Sequence, residues 1–487
     1  MIQPRILVTD LWELAPYLVL SGGAILFLLL ASLGAQGEKY HRWLSILMYT
    51  LVGLSFLALL TLTPETTPFQ GLLIHDAFGI SFAGILLLLL FGSIPVMSVG
   101  TAAFRENPAG TYSLLLLCAC GGLFMIFSNH LLLFFMGLEL LSLPLYVLSG
   151  MSARAARGSE AAFKYFLLGA VASAFFIYGV ALLWGSLGTV QISEMSRVLA
   201  ERGTNSPSLM MVGAALVGGG LLFKIGMVPF QMWVPDVYQG APASLVAWMS
   251  GAVKAATFAP ALRLFGGGLP ATTFDWPSVL TWLAIASMVW GSFAALYQTD
   301  VKRMLAYSSI AHVGYATIGL ICSSHTNSDG SATLIFYVLT YALASFSAFL
   351  VLSLEEEEGR GSIEDLSGLA KRRPGLALAF SISLLSLAGL PPLAGFMGKF
   401  NMFILAARQN RFELVWVGVL TSVVSLAYYL NLIVSAYMRE PSDQRSVRRR
   451  FGVGTVLGAT AAITLFLGIL PGRILDFLFQ VGKPFVP

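Results

Sequence analysis

The sequence predicts an all-α, polytopic membrane protein with about 14 transmembrane helices, and three observations predict it. First, 57% of its 487 residues are apolar, 11% are charged, and mean hydropathy is +0.81. An ordinary soluble domain has roughly 45–50% apolar and about 25% charged residues. Second, apolar stretches of about 20 residues, the length that crosses a bilayer, recur along the whole chain. Third, lysines and arginines concentrate in alternate connections between those stretches. The composition excludes an ordinary cytosolic enzyme, a disordered chain and a nucleic-acid binder. A net charge of +4 is too small and too scattered for a polyanionic partner.

The expected spans are 14–33, 43–62, 78–98, 111–127, 130–150, 161–184, 209–228, 244–265, 278–297, 302–322, 332–354, 376–404, 413–438 and 452–470. The fourth carries Cys118 and Cys120, which point to different faces of a helix; with Cys322 they read as packing residues. The seventh runs through Lys224, Gly226 and Pro229. The twelfth holds Gly389-Leu390-Pro391-Pro392 and is too long for one straight crossing. Proline removes a backbone donor and clashes with the preceding turn, so helices 7 and 12 are expected to be discontinuous. No long soluble domain is expected. Asp10 and Glu13 stand where a basic leader region would be, so no cleavable signal is expected.

If the N-terminus faces outward, inward segments carry 17 lysines and arginines and outward segments 8. The positive-inside rule then places both termini outside. Three lysines lie in no connection: Lys224, Lys254 and Lys399. Glu139 is likewise inside a span. Insertion scales assign about 2.5–3.5 kcal/mol to such a charge at helix centre. Four unpaired charges would cost on the order of 10–14 kcal/mol, comparable to a whole protein's stability. They must face the bundle interior, pair, or meet water. One reading is a structural ion pair. It fails for the set, because three lysines share one deep glutamate. The other is a proton path of titratable groups joined by water, placed beside helix breaks that leave backbone groups free. His312, in the tenth span, is a relay on this reading, or else a histidine satisfied by a neighbouring hydroxyl or carbonyl. His41, His75, His130 and His325 fall near span ends and read as interfacial.

Other features read plainly. Gly218-Gly219-Gly220 lacks the Gly-Lys-Ser/Thr of a phosphate loop and thins a helix for close packing. Glu355 to Glu358 and then Lys371-Arg372-Arg373 form an inward connection with a solvated face. No Cys or His cluster has metal or haem spacing and no nucleotide fingerprint appears, so no cofactor is expected in this chain.

At these residues the sequence resembles the antiporter-like membrane subunits of proton-pumping NADH:quinone oxidoreductase (respiratory complex I), of the subunit-N type. The resemblance covers nearly the whole chain. It rests on Gly137-Leu138-Glu139-Leu140-Leu141-Ser142-Leu143-Pro144-Leu145-Tyr146, on Phe223-Lys224-Ile225-Gly226-Met227-Val228-Pro229-Phe230 with Trp233-Val234-Pro235-Asp236-Val237-Tyr238-Gln239-Gly240-Ala241-Pro242, and on Gly389-Leu390-Pro391-Pro392 through Gly398-Lys399-Phe400. It implies an N-terminal segment 1–110, two inverted five-helix repeats at 111–265 and 266–438, and a last helix in 439–487. It implies a glutamate–lysine pair, Glu139 with Lys224, a relay lysine, Lys254, and a further lysine, Lys399. Lysine on the twelfth helix disfavours subunit M, and the end just after the fourteenth span disfavours subunit L. The family further implies proton translocation in a bacterial inner membrane, driven by quinone reduction elsewhere. NADH, FMN, iron–sulfur clusters and quinone are then expected in partner subunits, with subunits M and K as neighbours. A subunit of a multisubunit Na+/H+ antiporter or membrane-bound hydrogenase is the alternative.

Overall fold

The computed structural model describes residues 8–33, 37–97, 101–152, 155–203, 206–269, 275–323, 329–356, 361–440 and 451–482. The basic loop 448–450 and the terminal Pro487, on which the expected orientation partly rests, lie outside the described residues. Among the described residues, thirteen helices are long and apolar enough to cross a membrane. They are Ala15–Ser32, Glu38–Leu60, Ala77–Met97, Pro108–Phe127, Leu131–Gly150, Ala155–Leu187, Pro207–Ile225, Ala243–Arg263, Trp276–Leu296, Val301–Ile321, Asp329–Glu356, Phe412–Met438 and Phe451–Ile469. These match the expected first to eleventh, thirteenth and fourteenth spans. The twelfth is two helices of 15 residues each, Pro374–Ala388 and Ala394–Arg408. Each reaches roughly 22 Å at 1.5 Å per residue, short of the ~30 Å hydrocarbon core.

Helix starts follow local chemistry. Proline stands in the first turn of the first, fourth, seventh, ninth and twelfth spans, where no intrahelical donor is needed. Asn107, Asp275 and Asp300 cap the fourth, ninth and tenth by accepting from Gly110, Ser278 and Arg303 N–H groups at 2.9, 3.2 and 3.0 Å.

The two breaks are built alike. The seventh span ends on Gly226 (φ 77°), whose N–H donates to Phe223 O, while the Met227 N–H donates to Leu222 O, both at 3.0 Å. The first half of the twelfth ends on Gly389 (φ 84°), whose N–H donates to Ser386 O at 3.0 Å, while the Leu390 N–H donates to Leu385 O at 3.1 Å. This is one C-terminal capping motif used twice. A side chain in that left-handed conformation would cost about 1–2 kcal/mol, which is why glycine holds both positions. A short helix, Trp233–Gly240, follows the first break, and Ala394–Arg408 follows the second.

Neighbour relations also recur. The fourth, fifth, sixth and seventh spans pack in sequence, as do the ninth, tenth, eleventh and twelfth; the fourth meets the eighth as the ninth meets the thirteenth. Small residues allow the closest crossings. A Cβ on Gly121 would lie 2.4 Å from Leu141 N, and one on Gly291 would lie 2.5 Å from Ala311 N. The eighth span is entirely buried and the tenth and eleventh nearly so, while the first, second, sixth, thirteenth and fourteenth expose most of their surface. The molecule thus has a three-helix axis inside a lipid-facing ring.

At the end of the bundle shared by His75 and Arg263, fixed charges pin the axis to the first three spans. Arg263 is the last residue of the eighth span. Its Nη1 and Nη2 donate to Asp76 Oδ2 and Oδ1 at 2.9 and 2.7 Å, with both side chains 3% exposed. Asp76 Oδ1 also accepts from Gly79 N–H at 2.8 Å. His75, expected at the interface, is buried instead, with Nδ1 2.7 Å from Glu13 Oε2 and Nε2 3.3 Å from the Tyr17 hydroxyl. Burial draws the His75 imidazole below its usual pKa, against the pull of the Glu13 carboxylate.

Removing one partner of a buried, hydrogen-bonded ion pair costs about 3–5 kcal/mol, because the other charge stays buried. Asp76→Ala is therefore expected to lower the unfolding temperature of the detergent-solubilised protein sharply. Asp76→Leu combined with Arg263→Met, which removes both charges, is expected to recover most of that loss. Thermal unfolding followed by circular dichroism measures both.

Candidate functional site

Glu139, Lys224, Lys254 and His312 fall on the fifth, seventh, eighth and tenth spans, and Lys399 on the second half of the twelfth. Lys224, Lys254, His312 and Lys399 are at most 5% exposed, whereas Glu139 is half-buried. The structure brings Glu139 near Lys224, and Lys254 and Lys399 to either side of His312, by way of residues that composition did not reveal.

Lys224 sits in the last turn before the seventh-span break. Its Nζ donates to Ser142 Oγ at 2.7 Å and to the Tyr165 hydroxyl at 3.3 Å, and lies 5.4 Å from the centre of the Tyr165 ring. Ser142 is three residues after Glu139 on the fifth span, hence on the same face. The Glu139 carboxylate accepts from the Ser173 hydroxyl of the sixth span. Ser142, Tyr146, Ser173 and Lys224 line one cavity of about 10 Å³, the room of roughly one water. Leu138, Ala172 and Phe223 line it too, and Glu139 is linked to it through its hydrogen bond with Ser173, without the direct contact to Lys224 that a glutamate–lysine pair suggests.

Lys254 is at the middle of the buried eighth span. Its Nζ donates to Ser309 Oγ at 2.6 Å, to Ser250 O at 3.2 Å and to the Tyr341 hydroxyl at 3.3 Å, and lies 5.0 Å from the Tyr341 ring. Lys399 reaches back across its break. Its Nζ donates to Ala388 O at 3.1 Å, a carbonyl left free where the first half-helix ends, and lies 4.8 Å from the Tyr315 ring. His312 stands between these two lysines. Its ring is 4.9 Å from Tyr341 and 5.7 Å from Tyr315, the two rings on which Lys254 and Lys399 rest. Its Nδ1 is 2.7 Å from the Tyr337 hydroxyl and its Nε2 3.4 Å from that of Tyr429, which in turn is hydrogen-bonded to Ser308.

Among the described residues, none of the three lysines makes an ion pair. Lys224 is held by two hydroxyls, Lys254 by two hydroxyls and a carbonyl, and Lys399 by a carbonyl, each with one tyrosine ring beside it. A desolvated cation–π contact contributes about 2 kcal/mol and a hydrogen bond to a charged group about 1.5–3 kcal/mol. Together these are of the size of the insertion cost, so the ammonium form is tolerated without a carboxylate. At Lys224 and Lys254 the same partners also serve the neutral amine. A hydroxyl accepts from an ammonium and donates to an amine lone pair, so a proton can leave without orphaning a buried group.

Ser142, Ser309 and Tyr315 were within reach of sequence reasoning, since each is three residues from Glu139 or His312 on one helix. Tyr165 and Tyr341 come from other spans and carry no local signal.

Comparison with known proteins places this architecture. Residues 128–425 match the family model described as NADH:quinone oxidoreductase/Mrp antiporter, TM. NADH-quinone oxidoreductase subunit N of Trichlorobacter lovleyi is 37% identical, over 95% of this chain and 94% of that protein. Subunit N 2 of Rhizobium meliloti is 38% identical, over 96% of this chain and 97% of its own. A chain of respiratory complex I from Thermus thermophilus with bound aureothin superposes with a TM-score of 0.78 at 34% identity, over 95% of this chain and 99% of that one. A chain of the Mrp complex from a Dietzia species shares the fold alone, with a TM-score of 0.81 at 21% identity over 98% and 97%. The chain belongs to the NADH:quinone oxidoreductase/Mrp antiporter membrane family.

Proposed function

We infer that this chain is the antiporter-like, proton-translocating membrane-arm subunit of a respiratory NADH:quinone oxidoreductase, of the subunit-N type. Relatives of that name match along almost the full length of both chains. The observation that carries the mechanism is the set of three buried lysines, none ion-paired among the described residues: Lys254, on the buried axis with His312, and Lys224 and Lys399 on the spans beside it, each against a tyrosine ring. On this reading protonation passes from Lys224 to Lys254 and, by way of His312, to Lys399. A change of charge at Glu139 biases the first step across the cavity that Ser142 and Ser173 share. The coupling is electrostatic and therefore reciprocal.

The redox groups, NADH, FMN, iron–sulfur clusters and quinone, belong on this reading to other subunits. Among the described residues no three His, Cys, Asp or Glu side chains gather as a metal-binding set. Two inverted repeats, 111–265 and 266–438, are supported by the twice-used capping motif and the recurring neighbour relations. Neighbouring subunits M and K are the proposed partners. In support, Glu139 is only half-buried and lies about 60° around the helix from an exposed apolar stripe of Met136, Leu143 and Val147. The multi-pass chain is assigned to a bacterial inner membrane with both termini on the outer side, supported by the loop charges.

Two measurements test the mechanism, both NADH-driven proton uptake by inverted membrane vesicles at equal abundance of assembled complex. Glu139→Ala is expected to assemble and to pump several-fold more slowly. Full pumping would remove Glu139 from the path. For Lys399, the function needs a charge that switches. Arginine keeps its charge essentially always, and methionine never carries one. Lys399→Arg and Lys399→Met are both expected to impair pumping, whereas a fixed structural cation would tolerate arginine. Full activity of Lys399→Arg across pH 6 to 8 would refute the switching role.

A further inference from the structure

We propose that Asp236 is a positioning residue for proton transfer through Lys224, acting as the charged end of a two-point clamp between the short helix Trp233–Gly240 and the sixth span. The proposal rests on the proton-path reading above and assigns a function to a residue outside that path.

The clamp is visible in adjacent contacts. On the sixth span, Lys164 and Tyr165 are consecutive. Lys164 Nζ donates to Asp236 Oδ2 at 2.7 Å. The Tyr165 ring stacks on Trp233, with centroids 4.6 Å apart and planes at 8°. Trp233 and Asp236 are three residues apart on the short helix, hence on one face. The two neighbours of the sixth span thus grip the two face-sharing residues of the half-helix. Tyr165 is also the residue whose hydroxyl and ring hold the Lys224 ammonium. Trp233 closes the loop from the other side: its Nε1 donates to Phe223 O at 2.9 Å, the carbonyl one residue before Lys224. Asp236 is thus linked to Lys224 by two routes, through Lys164 and Tyr165 and through Trp233.

The other oxygen of Asp236 takes Arg303 Nη1 at 2.6 Å, which extends the grip to the tenth span. Arg303 Nη1 also donates to Gln239 Oε1 at 3.2 Å, and the guanidinium lies 5.7 Å from the Tyr307 ring. Glu160, 2.7 Å from Lys164 Nζ, completes the charged groups in contact with this pair, and Arg157 lines the cavity beside it. Asp236 and Arg303 are each 30% exposed and Lys164 41%. Ion pairs this exposed contribute little to folding. What a bidentate carboxylate does supply is direction, since it fixes where the half-helix stands relative to two spans at once. The corresponding position in the second break underlines the point. Asp236 lies ten residues after the left-handed Gly226, and Lys399 lies ten residues after the left-handed Gly389. One half of the molecule places a proton carrier there, and the other places the anion that aims one.

The test is a double-mutant cycle on NADH-driven proton uptake by inverted vesicles, at equal abundance of assembled complex. Asp236→Asn is expected to lower uptake at least fivefold and Asp236→Glu to retain at least half. Trp233→Leu is expected to give a similar loss, and the double variant Trp233→Leu/Asp236→Asn to stay within twofold of the worse single one, because both act through the same contact. Losses that multiply, or full uptake by Asp236→Asn, would overturn the clamp. Should Asp236→Asn not assemble, Lys164→Met cuts the same grip from the sixth span and is expected to show the fivefold loss; normal uptake there overturns the clamp equally. Lys224→Met separates the two levels: if it pumps normally, the proton-path reading itself fails, whatever Asp236 does.

Discussion

The structure depends on how an ammonium group is kept at membrane depth without a counter-ion. A carboxylate beside Lys224, Lys254 or Lys399 would settle the burial cost and also fix the charge. The chain instead surrounds each ammonium with uncharged groups, Ser142 and Tyr165, Ser309 and Tyr341, and the Ala388 carbonyl with the Tyr315 ring, and the hydroxyls at Lys224 and Lys254 also suit the neutral amine. That choice constrains the surroundings. The rings and hydroxyls come from the sixth, fifth, tenth and eleventh spans, so those helices must approach closely. The alanine- and glycine-rich faces of the fourth, eighth and ninth spans permit it.

The helix breaks serve the same constraint. Both end on a left-handed glycine with the same pair of backbone hydrogen bonds, and both leave the negative end of a half-helix inside the bundle. The two lysines use that end differently. Lys224 precedes its glycine and projects from the last turn of the first half-helix. Lys399 follows its glycine and reaches back to a carbonyl of the other half. Each ammonium thereby meets the end of a helix whose partial charge favours it, from opposite sides of the gap.

Much of this was legible in the sequence, and the remainder was hidden for a physical reason. Span positions follow from apolar length, so the sequence located all the crossings and both discontinuities. Buried lysines declare themselves by their cost, so Lys224, Lys254 and Lys399 stood out in apolar runs. What holds them did not. Tyr165 and Tyr341 are ordinary aromatic residues in apolar spans, and only the packing of one helix on another brings them to a lysine. The Asp76–Arg263 pair was missed for a related reason. Each residue stands at the end of a span, where a charge is expected to meet water, and nothing local says that the two ends meet each other 187 residues apart. The proline-relative placement of Lys224 and Lys399 likewise concealed the kinship of the breaks, which lies in the glycine and its two hydrogen bonds.

Charge in this molecule is divided by location. Among the described residues, the carboxylate-bound cations lie toward the ends of the spans: Arg263 on Asp76 at one end, and at the other Lys164 and Arg303 on Asp236, Lys302 on Glu356, and Arg372 and Arg373 near Glu355. Glu356 also accepts from the Ala243 N–H, so the helix that carries Lys254 is held at its first residue by one ion-paired carboxylate and at its last, Arg263, by another. Between those two anchors Lys254 meets the Ser250 carbonyl of its own helix and, from the tenth and eleventh spans, two hydroxyls and a ring. An ion pair is a poor place for a proton that must move, because each partner holds the other's charge in place. It is a good place for a helix that must not. On the proposed proton path, fixed charges at the ends and exchangeable ones in the middle would let the axis stay rigid while the protonation of its centre changes.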